Sequence, residues 1–560
     1  MEDITLYDFM FDTCHDPDDR NDIREDQVWF LDASTNEHFT RRQIRARTDA
    51  LAIGFQLHFR SKISHRTFTT NLGIGPVVSV VVPNDIDFGT VIWACHRLGY
   101  TVAPSNATVT VDELIHQLRL TQASFIVVHP SAIERALAAA SRVGIPTDNI
   151  IASDDVQTPL LTLKGVLDSG LLALERGERF RSVSTLPPGV PRVAFLCFSS
   201  GTTGLPKAVM IPHKSVIANI IQVAHSGCLL PRSLDPMVQD RALGVIPMSH
   251  MYGLLTLLHL CPYLGITSTL YASMPRFENF LDSLERLRIN HLFLAPPLVH
   301  AFNKHPSSKG RDFSFFKTCL VAAAPLDGQS EVEFRNLVNS PHFLISQAFG
   351  MTETAGLISG PHLGALPCHG SVGQLMPMTE AKLLNSSSGV PVLQGSGRVR
   401  GELLVRGPQI CLGYLNNEKA TRETFDSDGY VRTGDEVEID ENGIIYIVDR
   451  LKSIIKCKGF QVSPSELEGH MRGHPCVRDA AVIGKPDPRC GEVPVGFVVL
   501  SNEGVAQTRQ GIDVKETIMA YIRGKLVCDK ISQYKWLAEV HFIDAIPKLP
   551  SGKILSRELK

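Results

Sequence analysis

Residues 77–82, Val-Val-Ser-Val-Val-Val, are dominated by β-branched side chains, stop at Pro83-Asn84, and give way over residues 87–98 to apolar positions at helical spacing before Gly99. β-Branched residues suit a pleated, buried strand, and the 3.6-residue spacing suits a helix with one apolar face. The unit therefore reads as strand, loop, helix. A helix-like stretch at 111–120 and a short apolar run at 125–128 repeat the alternation, as a layered α/β sheet domain requires. Helix and strand signals continue through 243–247, 291–295 and 319–323, and no internal repeat is seen.

With 560 residues the chain is too long for a single core, so two or more domains are expected, the first much the larger. From 381 to 448 the texture changes to short alternating strands broken by Asn385-Ser-Ser-Ser-Gly389, Gly395-Ser-Gly397, Asp428-Gly429 and Asn442-Gly443, an all-β subregion. Asn442-Gly443 marks a hairpin between residues 437–439 and 444–448. The polar joint Asp449-Arg-Leu-Lys452 follows, which divides the chain into a large domain, 1–448, a hinge, 449–453, and a small domain, 454–560. In the small domain Ser463-Pro-Ser-Glu466 is a helix start, with Ser463 capping, Pro464 at the first helical position and Glu466 reaching back. Strands are expected at 480–483 and 495–500 and a helix from 514 to about 526, an α+β unit.

Charge excludes some partners. Fifty-eight acids against 55 Lys and Arg leave a net charge of -3, so nucleic acid and anionic membrane are poor partners. The twelve cysteines show no close pairing of the kind metal or redox sites use, and they read as reduced packing residues. The acidic start is unlike a signal peptide, the end Glu558-Leu-Lys560 is not a peroxisomal signal, and a cytoplasmic location is expected. Residues 253–272 are apolar but interrupted by His259, Pro262 and Gly265, which fits a buried helix and strand better than a membrane span.

Phe198-Ser-Ser-Gly-Thr-Thr-Gly-Leu-Pro-Lys207 is a hydroxyl- and glycine-rich loop closed by a lysine. Gly201 and Gly204 let the backbone turn with converging N–H groups, Ser199, Ser200, Thr202 and Thr203 add donors, and Lys207 adds positive charge. Such a loop suits polyphosphate, although an ordinary surface loop has similar composition. It is not a Walker loop, because Lys207 is not followed by Ser or Thr and the glycine spacing differs.

Downstream come Pro247-Met-Ser-His250, Gln347-Ala-Phe-Gly-Met-Thr-Glu353, Gly401-Glu-Leu-Leu-Val-Arg-Gly407, Arg432-Thr-Gly-Asp435, Asp449-Arg450, Lys456-Cys-Lys-Gly459 and Pro550-Ser-Gly-Lys553. In content and order these resemble the adenylate-forming superfamily of acyl-CoA synthetases, adenylation domains and luciferases. Asp449-Arg-Leu-Lys and Lys458-Gly-Phe-Gln-Val are most similar to the 4-coumarate-CoA ligase branch. The resemblance implies an α/β fold, with layered sheets plus a small β-barrel-like part in the large domain and a mobile α+β small domain. It also implies an ATP-dependent acid-CoA ligase that uses ATP, Mg²⁺ and coenzyme A.

The chemistry accounts for such a set. A carboxylate must attack the α-phosphate while pyrophosphate leaves, which calls for donors, lysines and a divalent ion. The resemblance assigns Glu353, with Thr352, to Mg²⁺, and Asp435 and Arg450 to the ribose and phosphate. It also assigns Ala324, Phe349, Gly350 and Met351 to the nucleotide, with Phe349 standing where many relatives have tyrosine. Lys553 is implied to touch carboxylate and α-phosphate in the first half-reaction, and His250 to sit where the two reactants meet. Lys456 and Gln461 align with active-site residues of the branch, and Lys458-Gly459 with the segment that meets CoA. The small domain is implied to turn about Lys452 between the two steps. Tyr252, Ala323, Gly356 and Leu357 match positions lining the acyl pocket of plant 4-coumarate-CoA ligases.

Departures from the plant pattern at Ala322-Ala323, Gly356 and Ser249 leave aryl, aryl-alkenyl and medium-chain acids open. An amino-acid adenylating domain would place an aspartate after the Pro247 motif, where Met251-Tyr-Gly-Leu stands, and no carrier domain is expected after Lys553. Transfer to a separate carrier protein, or luciferase-like oxygenation, are the alternatives kept.

Overall fold

The computed structural model describes residues 4–12, 24–59, 72–154, 158–179, 190–199, 206–227, 239–362, 368–385, 388–392, 397–451, 453–457, 460–487, 489–528, 535–548, 552 and 554–559. The β-branched run at its head is the strand Val77–Val81, the centre of a seven-stranded sheet in order 161–162, 150–152, 125–128, 77–81, 101–105, 193–199, 207–212. All pairings are parallel except that of Val193–Ser199 with Lys207–Pro212, which is antiparallel. A second seven-stranded sheet runs 344–347, 318–321, 291–294, 241–244, 267–270, 28–32, 38–40, again parallel but for its last pair.

Strands buried on both faces read as near-continuous apolar runs. Val77–Val81 and Phe125–Val128 are buried at every position, and helices cover both sides. The two sheets share one core containing Trp29, Trp93, Phe195 and Leu258, while Phe280, Leu284, Phe302 and Phe334 close the outer face of the second sheet. Each fully buried apolar side chain of this kind contributes about 1.5–3 kcal/mol relative to exposure.

Of the signal at 243–247, the strand takes only the start, running Arg241–Gly244. Asn84, just after Val77–Val81, explains the early stop. Its Nδ2 donates to the carbonyls of Gly244 (2.8 Å) and Ile246 (2.9 Å), and its Oδ1 accepts from Met248 N (2.8 Å), which turns 245–248 into a fixed loop. The apolar stretch after it is helical from Met251, passes through π-helical turns at Leu254–Leu260, and is followed by the strand Thr267–Leu270. Among the described residues no helix is long and apolar enough to cross a membrane.

Strands Glu380–Leu384, Val399–Arg406, Val431–Ile439 and Ile445–Arg450 form an antiparallel sheet, with the hairpin at Asn442-Gly443 as expected. It closes on the three-stranded sheet of 349–360 and 374–375 through Val372 N to Ile445 O (2.9 Å) and Ile445 N to Gly373 O (2.8 Å), around Ile358, Leu403 and Val437. This part is not all β. Glu418–Thr424 is a helix started by Asn417, whose side chain accepts from Ala420 N.

The small domain is α+β, built on Val477–Asp487 and Gly491–Leu500, with helices Pro464–Arg472, Asn502–Arg509 and Val514–Cys528. Ser463 caps Pro464–Arg472 as expected, accepting from Glu466 N at 3.3 Å. Glu466 does not reach back. Lys535 Nζ takes both of its carboxylate oxygens at 2.8 Å, a charge-assisted pair stronger than a neutral capping contact.

Candidate active site

In open α/β sheets, ligands bind beyond the carboxyl ends of the strands where strand order reverses. In the second sheet Arg241–Gly244 lies between Thr267–Leu270 on one side and His291–Leu294 on the other, so the reversal falls there. The segments leaving Gly244, Leu294, Val321 and Gln347 carry His250, Pro296-Pro297, Ala323-Ala324 and Phe349-Gly350. Beyond these ends lies a cleft of about 840 Å³, between the two domains and within the usual size for small ligands. Ala323, Ala324, Phe349, Gly350, Asp435 and Arg450 line it from the large domain, and Gly552 and Ile554 from the small one.

The loop 322–326 is held by Gln347, whose Oε1 accepts from Leu326 N (2.9 Å) while its Nε2 donates to Leu326 O (3.0 Å). Ala323 takes φ 74, a left-handed conformation that costs a residue with a Cβ about 1–2 kcal/mol. Strain of this kind gathers at ligand sites. Gly350 lies opposite Leu357 in an antiparallel pair, and a Cβ on it would come 2.1 Å from Gly356 O, so the strand pairing itself demands glycine. Met351 and Thr352 lead from that strand into the turn Thr352–Thr354.

Asp435 and Arg450 are cross-strand neighbours in register, with Arg450 Nε 3.3 Å from Asp435 Oδ1. Asp435 is buried, and Gly434 before it takes φ 71. Glu353 is also buried, accepts from Tyr414 Oη at 2.7 Å, and holds Cys411 N on its carbonyl (2.9 Å). Lys207 Nζ lies 4.8 Å from the centroid of the same Tyr414 ring. Burial and the Glu353 charge push the Tyr414 phenol far above its ordinary value, so it stays a neutral donor. Ser199 ends the strand that pairs with Lys207, and they are register partners.

His250 caps the helical start, accepting from Tyr252 N at 3.3 Å. Tyr252 is buried, donates to Leu320 O (2.7 Å), and packs edge-on against Phe293. Leu357 is buried and clasped through both backbone groups by Asn219. Gly356 takes φ 133, with Asn219 and Leu255 filling the space beside it. Of these four acyl-pocket candidates, Ala323 alone lines the cleft among the described residues.

Lys456 and Gln461 are backbone partners in the hairpin of Ile455–Cys457 and Phe460–Val462. Ser200, Gly201, Thr202, Thr203, Gly204, Lys452, Lys458, Gly459 and Lys553 lie outside the described residues. Gly552, the neighbour of Lys553, has φ 85, and a Cβ on it would lie 3.3 Å from Pro297. The terminal loop is closed by a bridge between Lys548 and Ile554.

The small domain is tied to the large one at both ends of the helix Pro464–Arg472. At its start Asp449 Oδ2 accepts from Ser463 Oγ (2.5 Å), Ser465 N (3.2 Å) and Ser465 Oγ (3.1 Å). At its end Lys304 Nζ donates to Arg472 O and Val477 O, each at 3.2 Å. A carboxylate thus meets the positive end of the helix dipole and an ammonium the negative end.

Two parallel α/β sheets, with a ligand-sized cleft at their carboxyl ends and a small α+β domain over it, define a two-domain α/β protein with an interdomain binding site. The chain belongs to the AMP-binding enzyme family, whose pattern matches residues 25–415, with the AMP-binding enzyme C-terminal domain at 466–553. It is 32% identical to an acyl-CoA ligase, AKT1, of Alternaria alternata, over 99% of this chain and 94% of that protein. It is 34% identical to 4-coumarate–CoA ligase 2 of Oryza sativa subsp. japonica, over 87% of this chain and 83% of that protein. The fold superposes on the crystal structure of the anthranilate CoA ligase AuaEII in complex with anthranoyl-AMP, with a TM-score of 0.80 at 21% identity, covering 99% and 96% of the two chains.

Sequence reasoning missed Tyr414, Gln347 as a loop clasp, Asn84 and Lys304. Each acts through a partner at least 21 residues away, which no local pattern marks.

Proposed function

We propose that the protein is an ATP-dependent acid-CoA ligase that joins a carboxylic acid to AMP, releases pyrophosphate, and passes the acyl group to the thiol of coenzyme A. The observation that carries this reading is the pairing of Asp435 with Arg450 across the cleft from Ala323, Ala324, Phe349 and Gly350, with the small domain's terminal loop entering at Gly552. Asp435 accepts from the ribose hydroxyls, Arg450 lies toward the phosphates, and Phe349 offers its ring to the adenine. The loop 199–207 and Lys207 hold the polyphosphate.

Among the described residues no three His, Cys, Asp or Glu side chains gather to hold a metal alone. A buried carboxylate at Glu353, next in sequence to the hydroxyl residue Thr352, offers hard oxygen donors that would suit Mg²⁺. When bound, the ion neutralises phosphate charge and orients the leaving pyrophosphate. Lys553 balances the charge of the carboxylate and α-phosphate as they meet, with His250 beside them.

The domains divide as 1–448, 449–453 and 454–560, although the strand Ile445–Arg450 carries Asp449 and Arg450 in the large-domain sheet. The observed arrangement, with Gly552 against Pro297, serves the first step. Rotation about Lys452 then brings Lys458-Gly459 to the cleft for the second, with Lys456 and Gln461 close by. Tyr252, Gly356 and Leu357 form with Ala323 the wall of an acyl pocket for an aryl, aryl-alkenyl or medium-chain acid. ATP and CoA as substrates accord with a cytoplasmic location.

Acid-dependent exchange of labelled pyrophosphate into ATP, run over a panel of acids, tests the first step. CoA and a phosphopantetheinylated carrier protein, compared as acceptors, test the second. Exchange that needs no acid, or ADP as product, contradicts the reading.

A further inference from the structure

The segment 411–415 runs beside the strand Lys207–Pro212. Met210 N donates to Gly413 O (2.9 Å), Leu412 N to Met210 O (2.9 Å), and Leu415 N to Ala208 O (2.8 Å), with Val209 and Tyr414 bridged. On its other side Cys411 N reaches Glu353 O at 2.9 Å. One short segment therefore ties the strand that begins at Lys207 to the turn that carries Glu353.

Tyr414 stands at the middle of that tie. Its hydroxyl donates to Glu353 Oε1 at 2.7 Å and its ring faces the Lys207 ammonium at 4.8 Å. Its backbone N donates to Thr421 Oγ1 at 3.1 Å, so it is anchored from the helix Glu418–Thr424 as well. A phenol gives Glu353 one donor and leaves the second carboxylate oxygen for a cation. A ring face attracts an ammonium without consuming its protons, which stay available to phosphate.

We propose that Tyr414 is a positioning residue for Mg·ATP, its hydroxyl aiming Glu353 at the metal and its ring holding Lys207 in place for the phosphates. The inference rests on the nucleotide reading above and adds to it a residue that touches neither substrate nor ion. Groups that orient a metal ligand through a hydrogen bond affect metal affinity about 10- to 100-fold. The hydroxyl and the ring can be removed separately, because phenylalanine keeps the ring and leucine keeps neither.

The test is equilibrium binding of ATP, with EDTA and then with increasing MgCl₂, to the full-length wild type, Tyr414→Phe, Tyr414→Leu, Glu353→Gln and the double variant Tyr414→Phe/Glu353→Gln. Tyr414→Phe is expected to raise the Mg²⁺ concentration needed for half-maximal binding about tenfold and to leave metal-free ATP binding as in wild type. Tyr414→Leu is expected to weaken metal-free binding as well. In the double variant Tyr414→Phe should add nothing to Glu353→Gln, which a purely structural role would not produce. Additive effects, equal loss with and without Mg²⁺, or no change in Tyr414→Phe overturn the proposal. Absence of ATP binding by the wild type, in contrast, overturns the nucleotide reading itself.

Discussion

Glu353 presents a buried charge whose recorded side-chain hydrogen bond comes from Tyr414. Glu353→Gln keeps the shape and removes the charge facing a metal, so Mg·ATP use should fall far more than CoA use, read as separate half-reaction rates. Retained activity at ordinary Mg²⁺ would assign the ion to another group. Glu468, in the interdomain cleft, carries a different electrostatic cost. Burial raises its carboxyl from 4.5 to about 7, with Arg472 opposing, while it accepts from Val482 N at 2.9 Å. A raised acid favours folding in its protonated form, and that contribution is complete below pH 4.5 and lost as pH rises through 7. Glu468→Gln mimics the protonated form, so its stability should equal wild type near pH 4 and exceed it by up to about 3 kcal/mol above pH 7. Denaturant melts across that range check this, and a gap that does not grow with pH contradicts it. At this scale the sequence exposed residues inside motifs, such as Asp435 and Arg450, because spacing along the chain preserves them. It concealed Tyr414, which meets Glu353 only when a segment 61 residues downstream returns beside Lys207–Pro212.

Elements bring the motif loops together at strand ends and hold the small domain across them. The contacts at the two ends of Pro464–Arg472 should favour the arrangement in which Gly552 approaches Pro297. Lys304→Ala removes two hydrogen bonds made by a charged donor, each worth about 1.5–3 kcal/mol at most. It should slow acyl-adenylate formation several-fold while leaving transfer from supplied acyl-adenylate to CoA unchanged or faster; equal slowing of both steps would reduce the contact to a structural one. Strands were legible where apolar runs were nearly continuous, as at Val77–Val81 with only Ser79 polar, because burial on both faces favours that pattern. The helix Glu418–Thr424 was not, since Glu-Lys-Ala-Thr-Arg-Glu-Thr has little apolar face and relies on Asn417 and on packing. The capping role expected of Glu466 failed for a related reason. Lys535, 69 residues away, offered its carboxylate a charged partner that local spacing does not reveal.

At the scale of the whole molecule, motif order carried the fold class and the reaction, while pocket shape was not legible. Tyr252 donates to the backbone of the distant strand residue Leu320, and the backbone of Leu357 is held by the Asn219 side chain, so the wall of an acyl site depends on packing that motif matching does not contain. Two steps on one site also call for two arrangements of the small domain. Lys553→Ala should suppress adenylate formation roughly 10²- to 10³-fold, the scale for one preorganised donor, and spare transfer. A bulky residue at Gly459 should do the reverse. Equal loss of both steps in both variants, with folding intact, would mean that one fixed arrangement serves throughout. The central claim, that the acid's own oxygen attacks the α-phosphorus, is tested most directly by following that oxygen. With ¹⁸O-labelled carboxylate, ATP and CoA, the account requires one labelled oxygen in AMP and unlabelled pyrophosphate beside the acyl-CoA. Label in phosphate or pyrophosphate, or ADP in place of AMP, would contradict it.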